Sequence, residues 1–368
     1  MTNALTTENT LQNGKKLHLE ILRITACFFV IFNHTGDNGF FLFSLFEPTS
    51  VQYWLYGFIS VFCKFAVPLF FAISGALLLP KEESVKTVFS KRVLRMAIIL
   101  VVASAFYYCF NNDFDFSAMN IGAFFGTLYG ATLDVHLWYL YAFISFLMAL
   151  PLLRPIAKNF KNEHFLYMAI CALVFTGVLP VAEYFLWKGN LALNGDLRMT
   201  WLTSNAVIYP LIGYYIENRM DVRRAKKKLP YLWAANIAAI AVTFFATYYR
   251  AKVMRFCSED SSQVFYNSFV LINMITVYIT AKCLCDPEKI KPKAAKMICS
   301  AGSCTLGIYF GHVAILRILY RNEVLDFLRE DIGIDHMVSC FVFCLIIMLI
   351  GYVLTWIAKK IPLLNKLL

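Results

Sequence analysis

The sequence predicts an all-α protein, a polytopic membrane helix bundle of about ten transmembrane helices with N- and C-termini cytoplasmic. Three observations carry this. Of 368 residues, 60% are hydrophobic and 15% charged, against roughly 45–50% and about 25% in soluble chains. Mean hydropathy is +0.62. Apolar runs of spanning length recur, and the loops between them alternate in Lys and Arg content. A soluble fold cannot hide this much apolar surface, because surface shrinks too slowly with size. Disordered, collagen-like, secreted disulfide-scaffold and soluble-enzyme classes are therefore excluded.

The elements follow in order. Residues 1–16 form a polar cytoplasmic N-terminus, expected to be disordered. Lys15 and Lys16 precede an apolar run with no small-residue cleavage site after it, so a retained helix is expected rather than a signal peptide. Spanning takes about 20 apolar residues. The candidate spans are 17–34, 54–79, 93–110, 136–153, 165–187, 201–217, 230–249, 264–281, 299–319 and 337–357. Residues 118–132 are apolar but short and glycine-containing, which suits an interfacial or re-entrant segment. With the N-terminus inside, 24 of the 34 Lys and Arg fall on inner segments and 7 on outer ones. Arg23, Lys64 and Arg317 lie within spans. This is the positive-inside pattern, and it accounts for the net charge of +11 without nucleic acid. Residues 17–358 read as one transmembrane domain and 359–368 as a cytoplasmic tail. The 11 cysteines include no C-x-x-C pair and read as small buried hydrophobes, with no metal site. Cys257 is expected outside the membrane.

An ionisable residue inside a bilayer is costly and needs a reason. The first span holds Glu20, Arg23 and His34. Arg23 and His34 are eleven residues apart, about three full turns and about 16 Å along a helix, so they share one face. Glu20 is one turn from Arg23 and can pair with it. Snorkelling by Arg23 and end-capping by His34 are the plain alternatives. Arg92 and Arg95 share a face at the inner surface, where guanidinium groups can fork onto phosphate oxygens. They would serve equally as topology charges. The small Ser74-Gly75 pair behind Pro68 suits close helix packing. An aromatic belt explains Trp138 and Tyr139, but not the adjacent His136. His312 sits inside the ninth span near Tyr309, where a helix–helix hydrogen bond or a functional role would account for it. His18, His164 and His336 fall at loop edges and receive no role. P-loop, serine hydrolase and zinc protease motifs are absent.

Taken together, these segments resemble the acyltransferase 3 family of bacterial membrane acyltransferases. Leu19 to Arg23 and on to Asn33-His34 is similar to its first-helix pattern of a basic residue, ten residues, then His. Pro68 to Gly75 resembles its F-F-x-x-S-G segment, and Arg92-x-x-Arg95 its R-x-x-R. His136 to Pro151 resembles its H-L-W-Y-L…P segment, and Gly307 to His312 its G-I-Y-x-x-H. The likeness runs in order along most of the chain. Glu20 stands where the family more often has Asp.

The resemblance implies transfer of an acyl group, usually acetyl, from cytoplasmic acyl-CoA to a hydroxyl or amine of an extracytoplasmic or lipid-linked glycan. The expected setting is a bacterial cytoplasmic membrane. It implies His34 as the catalytic residue and Arg23, Arg92 and Arg95 as acyl-donor-binding residues. Acyl-CoA, acetyl-CoA above all, would enter as donor substrate, with no bound cofactor. Glycan acceptor and membrane lipid are the other expected partners. The pantetheine arm would run along the Arg23–His34 stripe. His34 would act as general base or as a transient acyl carrier, with Tyr139, Trp138 and His312 shaping the acceptor side. A transporter of a lipid-linked sugar or small anion would also use intramembrane His and Arg. The sequence lacks the paired, broken halves common in transporters.

Overall fold

A computed structural model describes residues 16–187, 190–254 and 268–367. Most of the expected N-terminal tail and Cys257 lie outside them. The described residues form helices and no strand.

Helix α1 (Leu17–Asn33) is the axis of the bundle. Leu19, Leu22, Ala26 and Val30 bury one face of it in the larger apolar core, and Cys27, Ile31 and Phe32 bury another in a second core. A helix apolar on more than one side must be packed on more than one side.

The second expected span is broken into α2 (Val51–Cys63) and α3 (Ala66–Leu78) at Lys64-Phe65. Pro68 has no N–H to offer the Lys64 carbonyl four residues back, so the break falls where the ladder loses that bond. Lys64 Nζ lies 4.4 Å from the Phe40 ring centroid. A wide turn at Val88–Val93 leads into α4 (Leu94–Asn111), and α5 (Ile121–Gly130) is a short helix with no buried residue. Helices α6 (Trp138–Asn159), α7 (Asn162–Leu173), α8 (Leu179–Trp187) and α9 (Ile208–Asn218) follow. The remainder are α10 (Val222–Met254), α11 (Val270–Leu284), α12 (Pro292–Arg321), α13 (His336–Ala358) and α14 (Pro362–Leu367).

Helix α1 touches α2, α3, α11, α12 and α13. The closest crossing is α3 on α9. A Cβ at Gly75 would strike the Pro210 backbone, and one at Gly213 the Ala72 backbone. Glycine lets the two backbones meet there, which is the packing role expected of the Ser74-Gly75 pair.

Among the described residues, seven helical segments are long and apolar enough to cross a membrane: Val51–Leu78, Val85–Asn111, Val135–Asn159, Asn162–Trp187, Val222–Tyr249, Pro292–Arg321 and His336–Ala358. The other three expected spans are helical but short, namely α1 with 17 residues, α9 with 11 and α11 with 15. Length alone therefore yields seven rather than ten. Span 201–217 is interrupted between Thr203 and Ile208, and α11 starts after Phe269, whose φ is +59°. Neither end can propagate a regular helix further.

Candidate active site

The site is built from the C-terminal end of α1, the turn before α6, and the middle of α12. His34 is the residue that ends α1, its backbone N–H bonded to the Ile31 carbonyl at 3.0 Å. The chain then turns through Gly36, whose φ of +57° suits a residue without Cβ. Tyr320 Oη donates to the Thr35 carbonyl at 3.1 Å, and Arg329 donates to the Asn38 side chain at 2.9 Å and its carbonyl at 2.7 Å. These bonds hold the loop that carries His34 onto α12 and the segment before α13.

Three imidazoles meet here. The His34 ring centroid is 5.2 Å from that of His312 and 6.2 Å from that of His136, and His136 and His312 are 5.1 Å apart. The three come from positions separated by over a hundred residues, and the fold brings them together. Asp134 Oδ1 lies 3.0 Å from His136 Nδ1, and Arg317 Nη2 lies 2.8 Å from Asp134 Oδ2. His312 Nδ1 lies 2.6 Å from the Tyr309 carbonyl. Tyr107 packs its ring 4.6 Å from that of His136, and its hydroxyl bonds the Phe310 carbonyl and the Ala314 N–H of α12. Tyr309 Oη donates to the His136 carbonyl.

Beneath the cluster a cavity of about 510 Å³ runs to the opposite end of the helices. Arg23, Glu83, Lys91, Arg92 and Arg95 line its charged end, Ser74, Gly302, Ser303 and Thr305 its length, and Tyr139 and Tyr309 its inner end. Tyr309 lies 5.6 Å from the His312 ring and 5.8 Å from that of His136, so the cavity ends against residues that touch the imidazoles.

The expected Glu20–Arg23 pair is present at 2.6 Å, beside the cavity. Glu20 Oε2 has no hydrogen-bond partner among the described residues, and a Cβ at Gly302 would collide with it. The two other arginines do not form a free pair of forks. Arg92 grips Glu83 through Nη2 at 2.6 Å and Nε at 2.9 Å, and Arg154 binds the same carboxylate at 2.7 Å. Arg95 donates to the Leu367 carbonyl at 2.8 and 3.2 Å. Hydrogen bonding to Arg92 above all, against burial, holds the Glu83 carboxyl down at about 2.

Trp138 takes the exposed position of a belt residue and does not reach the cavity. It is 39% exposed on the outside of α6, whereas Tyr139, the next residue, is buried and reaches the cavity. Neighbours on a helix point about 100° apart, so both cannot face one site. His18 binds Glu217 at 3.0 Å, next to Lys16 and Lys282, in a charge cluster away from the imidazoles. His164 caps the start of α7.

Sequence reasoning missed Asp134, Tyr107, Lys91, Glu83, Arg154 and Lys359, whose Nζ donates to the carbonyl of cavity-lining Ser303. The spacing Asp134-Val135-His136 was a usable signal, a carboxylate two residues before an unexplained histidine. The others carry no signal separable from inner-loop charge and apolar filling.

A family model described as an acyltransferase domain, that of the acyltransferase 3 family, matches residues 17–360. No curated protein and no solved structure matches the chain.

Proposed function

Because the chain belongs to the acyltransferase 3 family, we propose that it is an integral membrane acyltransferase of the bacterial cytoplasmic membrane. It would move an acyl group, acetyl above all, from cytoplasmic acyl-CoA to a hydroxyl or amine of an extracytoplasmic or lipid-linked cell-envelope glycan. The observation that carries this reading is a cavity that runs from a cationic end to Tyr309, whose ring packs against His136 and His312 of the imidazole cluster. A phosphorylated donor suits the cationic end, and guanidinium and ammonium groups bind phosphate oxygens there. An extended, flexible arm suits the stretch lined by Ser74, Ser303 and Thr305, and the thioester would arrive near Tyr139 and Tyr309.

His34 then acts on the acceptor. As general base it takes the proton of the attacking hydroxyl, an effect typically worth about 10²–10⁴ in rate. The acceptor oxygen bonds to the acyl carbon, the carbon–sulfur bond breaks, and the thiolate leaves with the proton. The buried, apolar wall around the cluster keeps competing water from the thioester.

The test is His34→Ala in purified, reconstituted protein supplied with acetyl-CoA labelled in the acetyl group and a native envelope glycan fraction. Loss of labelled glycan and of thiol release, with unchanged elution in detergent, is the expected result. Continued transfer by the variant overturns the assignment. Movement of a glycan across the vesicle membrane without acyl release would identify a transporter instead.

A further inference from the structure

Two of the three imidazoles end in a nitrogen that nothing described satisfies. His136 Nε2 and His312 Nε2 are buried and without a hydrogen-bond partner among the described residues. Their other nitrogens are committed. A carboxylate only accepts, so His136 carries its hydrogen on Nδ1 toward Asp134, 3.0 Å away. A carbonyl only accepts, so His312 likewise carries its hydrogen on Nδ1 toward Tyr309. Both rings therefore present a bare lone pair at Nε2 in a closed space beside His34. Bare lone pairs held in a buried site call for a hydrogen.

We propose that Asp134, His136 and His312 form a proton store for His34, with His136 as the group that takes the proton and Asp134 as the positioning residue behind it. This rests on the reading of His34 as the base in acyl transfer. The groups facing His136 favour one added proton. Asp134 is the carboxylate in contact, its far oxygen held by Arg317, which is itself bonded to Asn111 at 2.7 Å. Tyr107, Tyr309, His34 and His312 supply the rest of the wall and no second negative charge. A second proton would set two cations side by side with one carboxylate between them.

The step balances without any further reagent. The acceptor O–H bond breaks, and its proton goes to His34 and on to His136 Nε2, where Asp134 faces the imidazolium. The oxygen bonds to the acyl carbon, and the carbon–sulfur bond breaks with its electron pair left on sulfur. The same proton returns through His34 to that sulfur as the free thiol forms. Asp134 remains ionised throughout, as the carboxylate of a Ser-His-Asp triad does.

The experiment uses the same labelled acetyl-CoA transfer in proteoliposomes. Asp134→Asn should lower kcat by 100-fold or more while leaving KM for acetyl-CoA within twofold. Asp134→Glu should recover at least tenfold of that loss, because a carboxylate and not a shape is required. His136→Gln should match Asp134→Asn, and provides the test should the latter fail to fold. An Asp134→Asn enzyme with wild-type kcat, or Asn and Glu variants equally inactive, overturns the store. His34→Ala that still transfers the acyl group sinks the underlying reading instead, so the two failures are separable.

Discussion

Glu83 lines the charged end of the cavity, where the proposed donor's phosphates would bind, and its charge should weaken that binding. Arg92 offers one edge of its guanidinium to Glu83 at 2.6 and 2.9 Å, so a phosphate must approach another edge or displace the carboxylate. Two anions on one guanidinium lie about 6 Å apart, which costs about 0.7 kcal/mol at the dielectric of water and about 3 kcal/mol at an effective value near 20. The side chains of Glu83 and Arg92 are 21% and 24% exposed, so the cost lies between these limits. Taking about 1–2 kcal/mol, Glu83→Gln should lower KM for acetyl-CoA roughly 5- to 30-fold. The amide keeps an acceptor for Arg92 and Arg154. The effect should shrink between low and high salt, since partly exposed charges are screened. Glu83 is held down at about 2, well below the usual carboxylate value. Its contribution to stability is therefore present above that usual value and fades only as pH falls toward about 2. No change in KM from this group is expected between about pH 5 and 8. A steady-state series of thiol release against acetyl-CoA concentration measures the effect. An unchanged or raised KM in Glu83→Gln would refute the idea that the carboxylate competes with the donor.

Two further outcomes follow from the same geometry. Lys91 lines the charged end of the cavity without an ion pair among the described residues. Lys91→Ala should raise KM for acetyl-CoA about threefold to tenfold with kcat kept, as expected of a contact to phosphate alone; a fall in kcat with KM constant would place Lys91 elsewhere. Gly213→Val should lower the detergent Tm and the yield of folded protein, because its side chain would drive into the Ala72 backbone; a variant with native Tm would show that the α3–α9 crossing tolerates separation.

The sequence exposed the features that cost energy in a bilayer. Glu20, Arg23, His34, His136 and His312 stand out because an ionisable group among apolar ones needs a partner, and each of these lies at the cavity or the imidazole cluster. It could not expose features that cost nothing to write down. Lys91 and Glu83 look like any inner-loop charge, and Lys359 looks like a helix-end anchor until its ammonium group is seen at Ser303. Trp138 and Tyr139 carry the same aromatic signal one residue apart, and only the rotation of α6 decides which faces inward. The count by length falls to seven for a reason the sequence does not carry. α9 and α11 are cut short where the backbone leaves helical geometry, between Thr203 and Ile208 and at Phe269, and α1 ends at Asn33.

The position of His34 shows how strongly packing adds to that local signal. Eleven residues of helix fix its direction relative to Arg23, but they do not fix what it meets. That depends on a loop tied down by Arg329 and Tyr320 and on an α12 held to α4 by Tyr107. His312 reaches His34 because α12 lies along α1, and Gly302, which lines the cavity beside Glu20, allows that approach at the charged end. The charged end and the imidazole end are therefore set by the same pair of helices. A shift of α12 along α1 would move the Gly302–Glu20 and His312–His34 contacts together, so the charged end and the imidazole-facing end of the cavity form one rigid unit rather than two adjustable sites.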